Sequence, residues 1–341
     1  MPGSNFLSAP LWLVTVLHVV TLSLHFVAMN FLVGGLVIAL WGKFTNRWDH
    51  PVVQKFIKLF PTAMAATITF GVAPLLFVQL TYHEQVYSAA IVSGWFWLAI
   101  IPAVIAAYYF LYAASFAKGG KSPRRGLFLT IALLLLLYVS IVYSSVFSLA
   151  ERPDRIALYY SGNTSGLHLN PDIGSYIFRW LHMVLGAITV GGFFVGWLGR
   201  SHDDAYKVGR AFFLWGMVAA SLAGLAYIFT LGNALVPYMR SPAVWWLMIG
   251  IILAIGSLHF FFKKQFTRSG VMVFVSLVAM VINRHYVRLI QLDGVWDPAD
   301  MPVRTDWSIF LVFLVFFVIA VATVWYMLHL YVTDRAGVHN T

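Results

Sequence analysis

The sequence predicts an all-α, polytopic membrane helix bundle, and three observations predict it. Apolar residues fill 61% of the 341 positions and charged residues only 10%, where an average soluble domain carries about 25% charged. Aromatic residues reach 17%, with 28 Phe, 16 Tyr and 13 Trp. The apolar residues also fall into runs long enough to cross a hydrocarbon core of ~30 Å. A soluble sphere cannot hide this much apolar surface, which excludes a water-soluble enzyme, and a disordered chain is excluded by the same composition.

Nine such runs are expected, at about 9–42, 59–82, 89–117, 125–149, 173–199, 208–231, 243–263, 270–290 and 306–332, forming a single integral domain over 1–341. The opening MPGSNFLSAP has no basic stretch, so the first run is expected to be a retained helix rather than a cleaved signal. Lys and Arg set the orientation. With the N-terminus outside, the inner loops hold 15 of the 22 basic residues, and the outer side holds 8 of the 12 acids. The positive-inside rule then predicts an N-out, C-in protein of a prokaryotic cytoplasmic membrane. The net charge of +10 is explained by those loops and needs no nucleic acid. Between the fourth and fifth runs, 150–172 is polar and turn-rich and reads as an outer docking loop. Its Asn163-Thr164-Ser165 matches a glycosylation sequon, read as a chance match.

The chain echoes itself. LHFVAMNFLVGGLVIALWGK at 24–43 aligns with LHMVLGAITVGGFFVGWLGR at 181–200, at an offset of 157. The first and fifth runs therefore read as equivalent members of two four-helix halves, with the ninth helix added.

The absence of cysteine excludes disulfides, thiolate metal sites and covalently attached haem. No acid falls mid-membrane, which argues against a carboxylate proton path across the bilayer. Histidines do fall there. His18 and His25 share a face of the first helix, His182 lies in the outer half of the fifth, and His285 lies near the outer end of the eighth. The inner side, with His259 and His329, is expected to hold no comparable cluster. Neutral imidazole is the commonest ligand of haem iron and tolerates an apolar site. Gly186, one turn after His182, offers flat space. Arg179, Arg284 and Arg288 are candidate propionate anchors, with snorkelling to lipid headgroups as their plainer role. Met248 matches the depth of His182 and is a candidate second ligand, which would raise a haem's potential.

On these residues the chain resembles subunit I of the cytochrome bd oxidase family. The closest stretches are LHFVAMNFLVGGLVIALWGK, TFGVAPLLF and RWLHMVLGAITVGG, and the resemblance runs weakly over the whole chain. It implies nine helices with the N-terminus outside. It implies that His25 is the first-helix haem ligand, and that His182 and Met248 share a low-spin haem b. Departures are plain. Asn283 stands where the family has a glutamate ligand, with His285 two residues on as a substitute. Asp293-Gly294-Val295-Trp296 stands at the arginine–proline–tryptophan signature, and a short link at 232–242 replaces the quinol-binding loop.

The expected function is a subunit of a respiratory oxidoreductase complex holding two or three non-covalent haems, of b or another type. His18, His25, His182, Met248 and His285 are the candidate iron ligands. Arg179, Arg284 and Arg288 complete the cofactor-binding set, and no catalytic residue is assigned. Its expected partners are a c-type cytochrome or other external redox subunit, the lipid bilayer, a second membrane subunit and quinol. Two other readings stay open: a bd-like terminal reductase of oxygen or a nitrogen oxide, and a non-redox transporter or anchor.

Overall fold

The structure is a computed structural model that describes residues 6–117, 123–162 and 164–305, with scattered positions between 307 and 327. Twelve α-helices make up the continuous part: α1 (Leu11–Phe44), α2 (Pro51–Thr81), α3 (His83–Val92), α4 (Gly94–Leu98), α5 (Ile100–Phe116), α6 (Pro123–Ala150), α7 (Pro153–Gly162), α8 (Gly174–Leu198), α9 (Asp203–Phe229), α10 (Leu235–Arg240), α11 (Ala243–Phe262) and α12 (Phe266–Gln291). Among the described residues no strand forms, only one isolated bridge between Leu7 and Val303. Among the described residues eight spans are long and apolar enough to cross a membrane. Apolar side chains such as Leu76, Ile101, Leu134, Leu222 and Ile252 are more than half exposed on them, as contact with lipid requires. The protein is an all-α, membrane-embedded helix bundle. The expected ninth helix, 306–332, lies largely outside the described residues.

Two compact units divide the chain, one of residues 15–297 and one of residues 1–14 with 298–341. In the latter, Leu7 is fully buried. Its N–H donates to Pro302 O at 2.9 Å and its carbonyl accepts from Arg304 N at 2.9 Å.

The helices differ from the apolar runs in instructive ways. α2 begins at Pro51, not near 59. His50 is extended and caps it, with Nδ1 accepting from Val52 N at 3.2 Å, and Pro51 needs no partner for a first-turn amide. The added turns carry exposed Lys55 and Lys58 opposite buried Val52, Phe56 and Ile57, so hydropathy alone places the start too late. The expected 89–117 helix is broken at Ser93 and Ala99. There the 164–170 segment joins the backbone, with Trp95 N donating to Gly166 O at 3.1 Å. The 150–172 loop is not all loop: Pro153 and Asp154 start α7, as proline and an acid favour in a first turn.

The internal repeat is visible in the packing. Gly34 of α1 and Gly191 of α8, 157 residues apart, meet where those helices cross. A β-carbon on Gly191 would lie 2.6 Å from the Gly34 carbonyl carbon. Their neighbours pack outward in parallel: Gly35 against the Phe56 ring of α2, and Gly192 against the Phe213 backbone of α9. Phe56 and Phe213 are again 157 apart. With no hydrophobic drive between helices in lipid, such close backbone approach supplies the association energy.

Candidate functional site

His25 and His182 each lie nine residues before the glycine at the α1–α8 crossing, about 13.5 Å along the axis. Both rings are held the same way. His25 Nδ1 lies 2.9 Å from Thr67 O on α2, and His182 Nδ1 lies 2.7 Å from Ala220 O on α9. His18 repeats the contact with Pro74 O at 3.2 Å. A carbonyl only accepts, so each Nδ1 carries the proton and each Nε2 keeps a lone pair. Among the described residues no hydrogen bond engages those three Nε2 atoms. The seven-residue step from His18 to His25 is matched in reverse from Pro74 to Thr67, as antiparallel helices require.

Glycines make room for two of these rings. A β-carbon on Gly71 would lie 2.8 Å from His25 Nδ1, and one on Gly224 would lie 2.8 Å from His182 Nδ1. Each glycine stands one turn after the accepting carbonyl, Thr67 to Gly71 and Ala220 to Gly224. The sequence reading missed both, because the packing of a second helix decides which carbonyl faces each histidine. One turn along α8 from His182, a methyl built at Gly186 would meet no atom within 4 Å.

The other predicted ligands are less converged. Met248 faces outward on α11, with 45% of its surface exposed. His285 makes no hydrogen bond among the described residues, and its ring lies 5.8 Å from that of Tyr286. It lies, with Arg288, within electrostatic range of His18. Asn283 is occupied structurally: Nδ2 donates to Ala243 O at 2.7 Å and Tyr238 Oη at 3.2 Å, tying α12 to α10 and α11. Trp296, in the divergent signature, donates from Nε1 to Thr81 O at 2.9 Å. Among the described residues no three His, Asp or Glu side chains converge as a multidentate ion site requires.

Arg179, Arg284 and Arg288 do converge, and on a residue the sequence reading did not single out. Glu151, just past α6, is 3% exposed. It accepts from Arg179 Nη1 at 3.1 Å, from Arg288 Nε at 3.4 Å, and from Arg284. Arg179 also donates to Ser144 O at 2.6 Å and Arg284 to Tyr227 Oη at 3.0 Å. Arg288 lies 5.2 Å from the Tyr82 ring centre. The Tyr82 hydroxyl is buried without a hydrogen-bond partner among the described residues. Burial alone would raise the Glu151 pKa, but the guanidinium groups of Arg284, Arg179 and Arg288 hold it down at about 2. Three guanidinium groups thus converge on one carboxylate. An acid at a helix C-terminus opposes the helix dipole, and that misplacement in SLAERP was the legible hint that Glu151 has cationic partners.

At the other end of the bundle one pair of histidines meets just outside the spans. His50 and His202 stack edge to face at 5.3 Å, and His50 Nε2 lies 3.4 Å from Asp204. Both ring nitrogens of His50 are used, Nδ1 by the α2 cap and Nε2 by Asp204, so this pair is structural. His259 packs on Phe260 at 5.4 Å. His329 and Asn163 lie outside the described residues.

Comparison of the chain with protein-family models, with curated proteins and with solved structures finds no match in any of the three.

Proposed function

We propose that the protein is a haem b-binding membrane subunit of a respiratory electron-transfer complex, a divergent relative of cytochrome bd oxidase subunit I. One observation carries the reading: His25 and His182 are held in the same tautomer, each by a carbonyl on the neighbouring helix, each against a glycine. Metal-bound histidine almost always donates its second N–H in this way, which fixes the ring and raises its basicity. A merely structural buried imidazole has no need of two repeats of that arrangement.

The residues fit a haem in two further respects. Gly186 leaves room beside His182. Arg179, Arg284 and Arg288 offer guanidinium donors suited to the carboxylates that such a group carries. When bound, the haem supplies one-electron transfer at its iron. The chain supplies the rest. His182 and His25 present Nε2, Met248 is the proposed second ligand beside His182, and the arginines orient the carboxylates near the end of the bundle. Glu151 draws those arginines together by offsetting their mutual repulsion.

In this reading the N-terminus lies outside a prokaryotic cytoplasmic membrane, an orientation that the basic bias of the inner loops supports. The Glu151 end is then the outer one, where a c-type cytochrome exchanges electrons. A second membrane subunit and quinol remain further proposed partners. The alternative reductase reading makes His25 the proximal ligand of an open-site haem. It requires that the reduced protein bind carbon monoxide.

The test is an absorption spectrum of the purified protein with acid–acetone extraction. A Soret band that leaves with the extract is expected, since the chain has no cysteine for thioether links. A full-length preparation from a haem-sufficient host with no Soret band overturns the reading and leaves a transporter or anchor.

A further inference from the structure

At the end of α8 away from Arg179, a cavity of about 670 Å³ opens between the last turn of α8 and the start of α12. Trp197, Arg200, Lys264, Gln265, Phe266 and Arg268 line it. Three of these are cations and none is an acid. All three have neutral partners. Arg200 Nη1 donates to Trp197 O at 3.2 Å, and Arg268 Nη1 donates to Gln265 Oε1 at 3.1 Å. Lys264 Nζ sits 5.0 Å from the Tyr206 ring centre. Asp203, within electrostatic range of Lys264, is held by Lys207 at 2.7 Å. Among the described residues none of the three cations forms an ion pair.

The cavity also lies at a defined level. Leu198, Phe262 and Phe266 are terminal residues of three spans, so it sits at the border between hydrocarbon and water. Its lining is aromatic on one side: Trp197 is 37% exposed, and Phe266 is buried. Aromatic rings favour that border, and basic pockets between spans favour anionic headgroups. A free anion would satisfy the cations and leave the aromatic side uncovered. An anion attached to acyl chains covers both.

We propose that this cavity binds the headgroup of an anionic phospholipid, its phosphodiester held by Arg200, Lys264 and Arg268 and its chains descending past Trp197. The site is independent of any haem, and its test does not use redox activity.

The experiment measures lipid retention by native mass spectrometry. The protein is reconstituted in phosphatidylcholine containing a minor fraction of phosphatidylglycerol, then released. The wild-type protein is expected to retain one phosphatidylglycerol preferentially. Arg200→Gln/Lys264→Gln/Arg268→Gln is expected to weaken that retention by roughly ten-fold or more. Lys55→Gln/Lys58→Gln/Arg124→Gln removes as many exposed charges elsewhere at the same end and is expected to leave it unchanged. Circular dichroism checks that both variants fold, and Arg268→Gln alone provides a milder version with a smaller loss. Equal retention by wild type and the cavity variant overturns the proposal. So does an equal loss in the control variant, which would mean diffuse surface attraction. Displacement of the lipid by inorganic phosphate also overturns it, since a free anion would then suffice.

Discussion

The imidazole of His182 lies directly against Gly224, with 2.8 Å between Nδ1 and the place a β-carbon would occupy. The glycine is therefore part of the device that aims the ring. Gly224→Ala is expected to push the ring off Ala220 O and to weaken haem binding at His182, with the fold retained. Gly71→Ala is expected to do the same at His25. Haem stoichiometry and the reduced-minus-oxidised spectrum read both. Losses of groups that orient metal ligands commonly cost about 10- to 100-fold in affinity. Unchanged spectra in both variants would refute the role given to these glycines.

His182→Ala should remove one low-spin signal altogether. Met248→Leu should keep that haem and lower its potential, because thioether ligation raises it. A redox titration of the two variants separates the outcomes. If Met248→Leu leaves the potential in place, the second ligand is another residue.

The space at Gly186 makes an opposite prediction. Gly186→Ala should be neutral, since the added methyl meets nothing within 4 Å. Gly186→Phe should fill the space and exclude haem while leaving helix content unchanged by circular dichroism. Full haem occupancy in the Phe variant would place the cofactor elsewhere.

Glu151→Gln removes the carboxylate that Arg179, Arg284 and Arg288 share. Breaking such a cluster should cost about 3–5 kcal/mol, read as a fall in thermal stability in detergent. Adding Arg284→Gln should recover part of the loss. The acid dependence has a definite sign. The Glu151 pKa falls from an ordinary 4.5 to about 2 on folding, so its contribution is complete above about pH 4.5 and is lost as the pH drops through about 2. The wild-type protein should therefore lose stability over that window, and Glu151→Gln should lose less. Parallel curves for the two proteins would sink the assignment.

The crossing of α1 and α8 predicts its own variant. Gly191→Val must part the helices at Gly34, and overpacking of this kind costs about 1–3 kcal/mol. Gly162→Val, on α7 where a β-carbon meets nothing within 4 Å, is the control expected to change little. Thermal unfolding of both decides it.

Composition and period alone determined that this chain is a membrane helix bundle, because 61% apolar residues in span-length runs have no other stable solvent. The aligned Leu-His and Val-Gly-Gly stretches also revealed the repeat and singled out His25 and His182, since an internal offset survives in one dimension. What only the tertiary structure decided is which backbone each ring meets. Thr67 and Gly71, or Ala220 and Gly224, belong to other helices, and no local pattern in α1 or α8 encodes their register. Glu151 was hidden for the same reason. It looks like a loop acid in sequence, and its burial among Arg179, Arg284 and Arg288 comes from three chain segments up to 137 residues apart. The start of α2 at Pro51 shows the reverse case: a His50–Pro51 cap was legible locally, but the charged face of the next turns masked it from a hydropathy reading. Side-chain periodicity selects the solvent of each face, and only packing in three dimensions selects its partner.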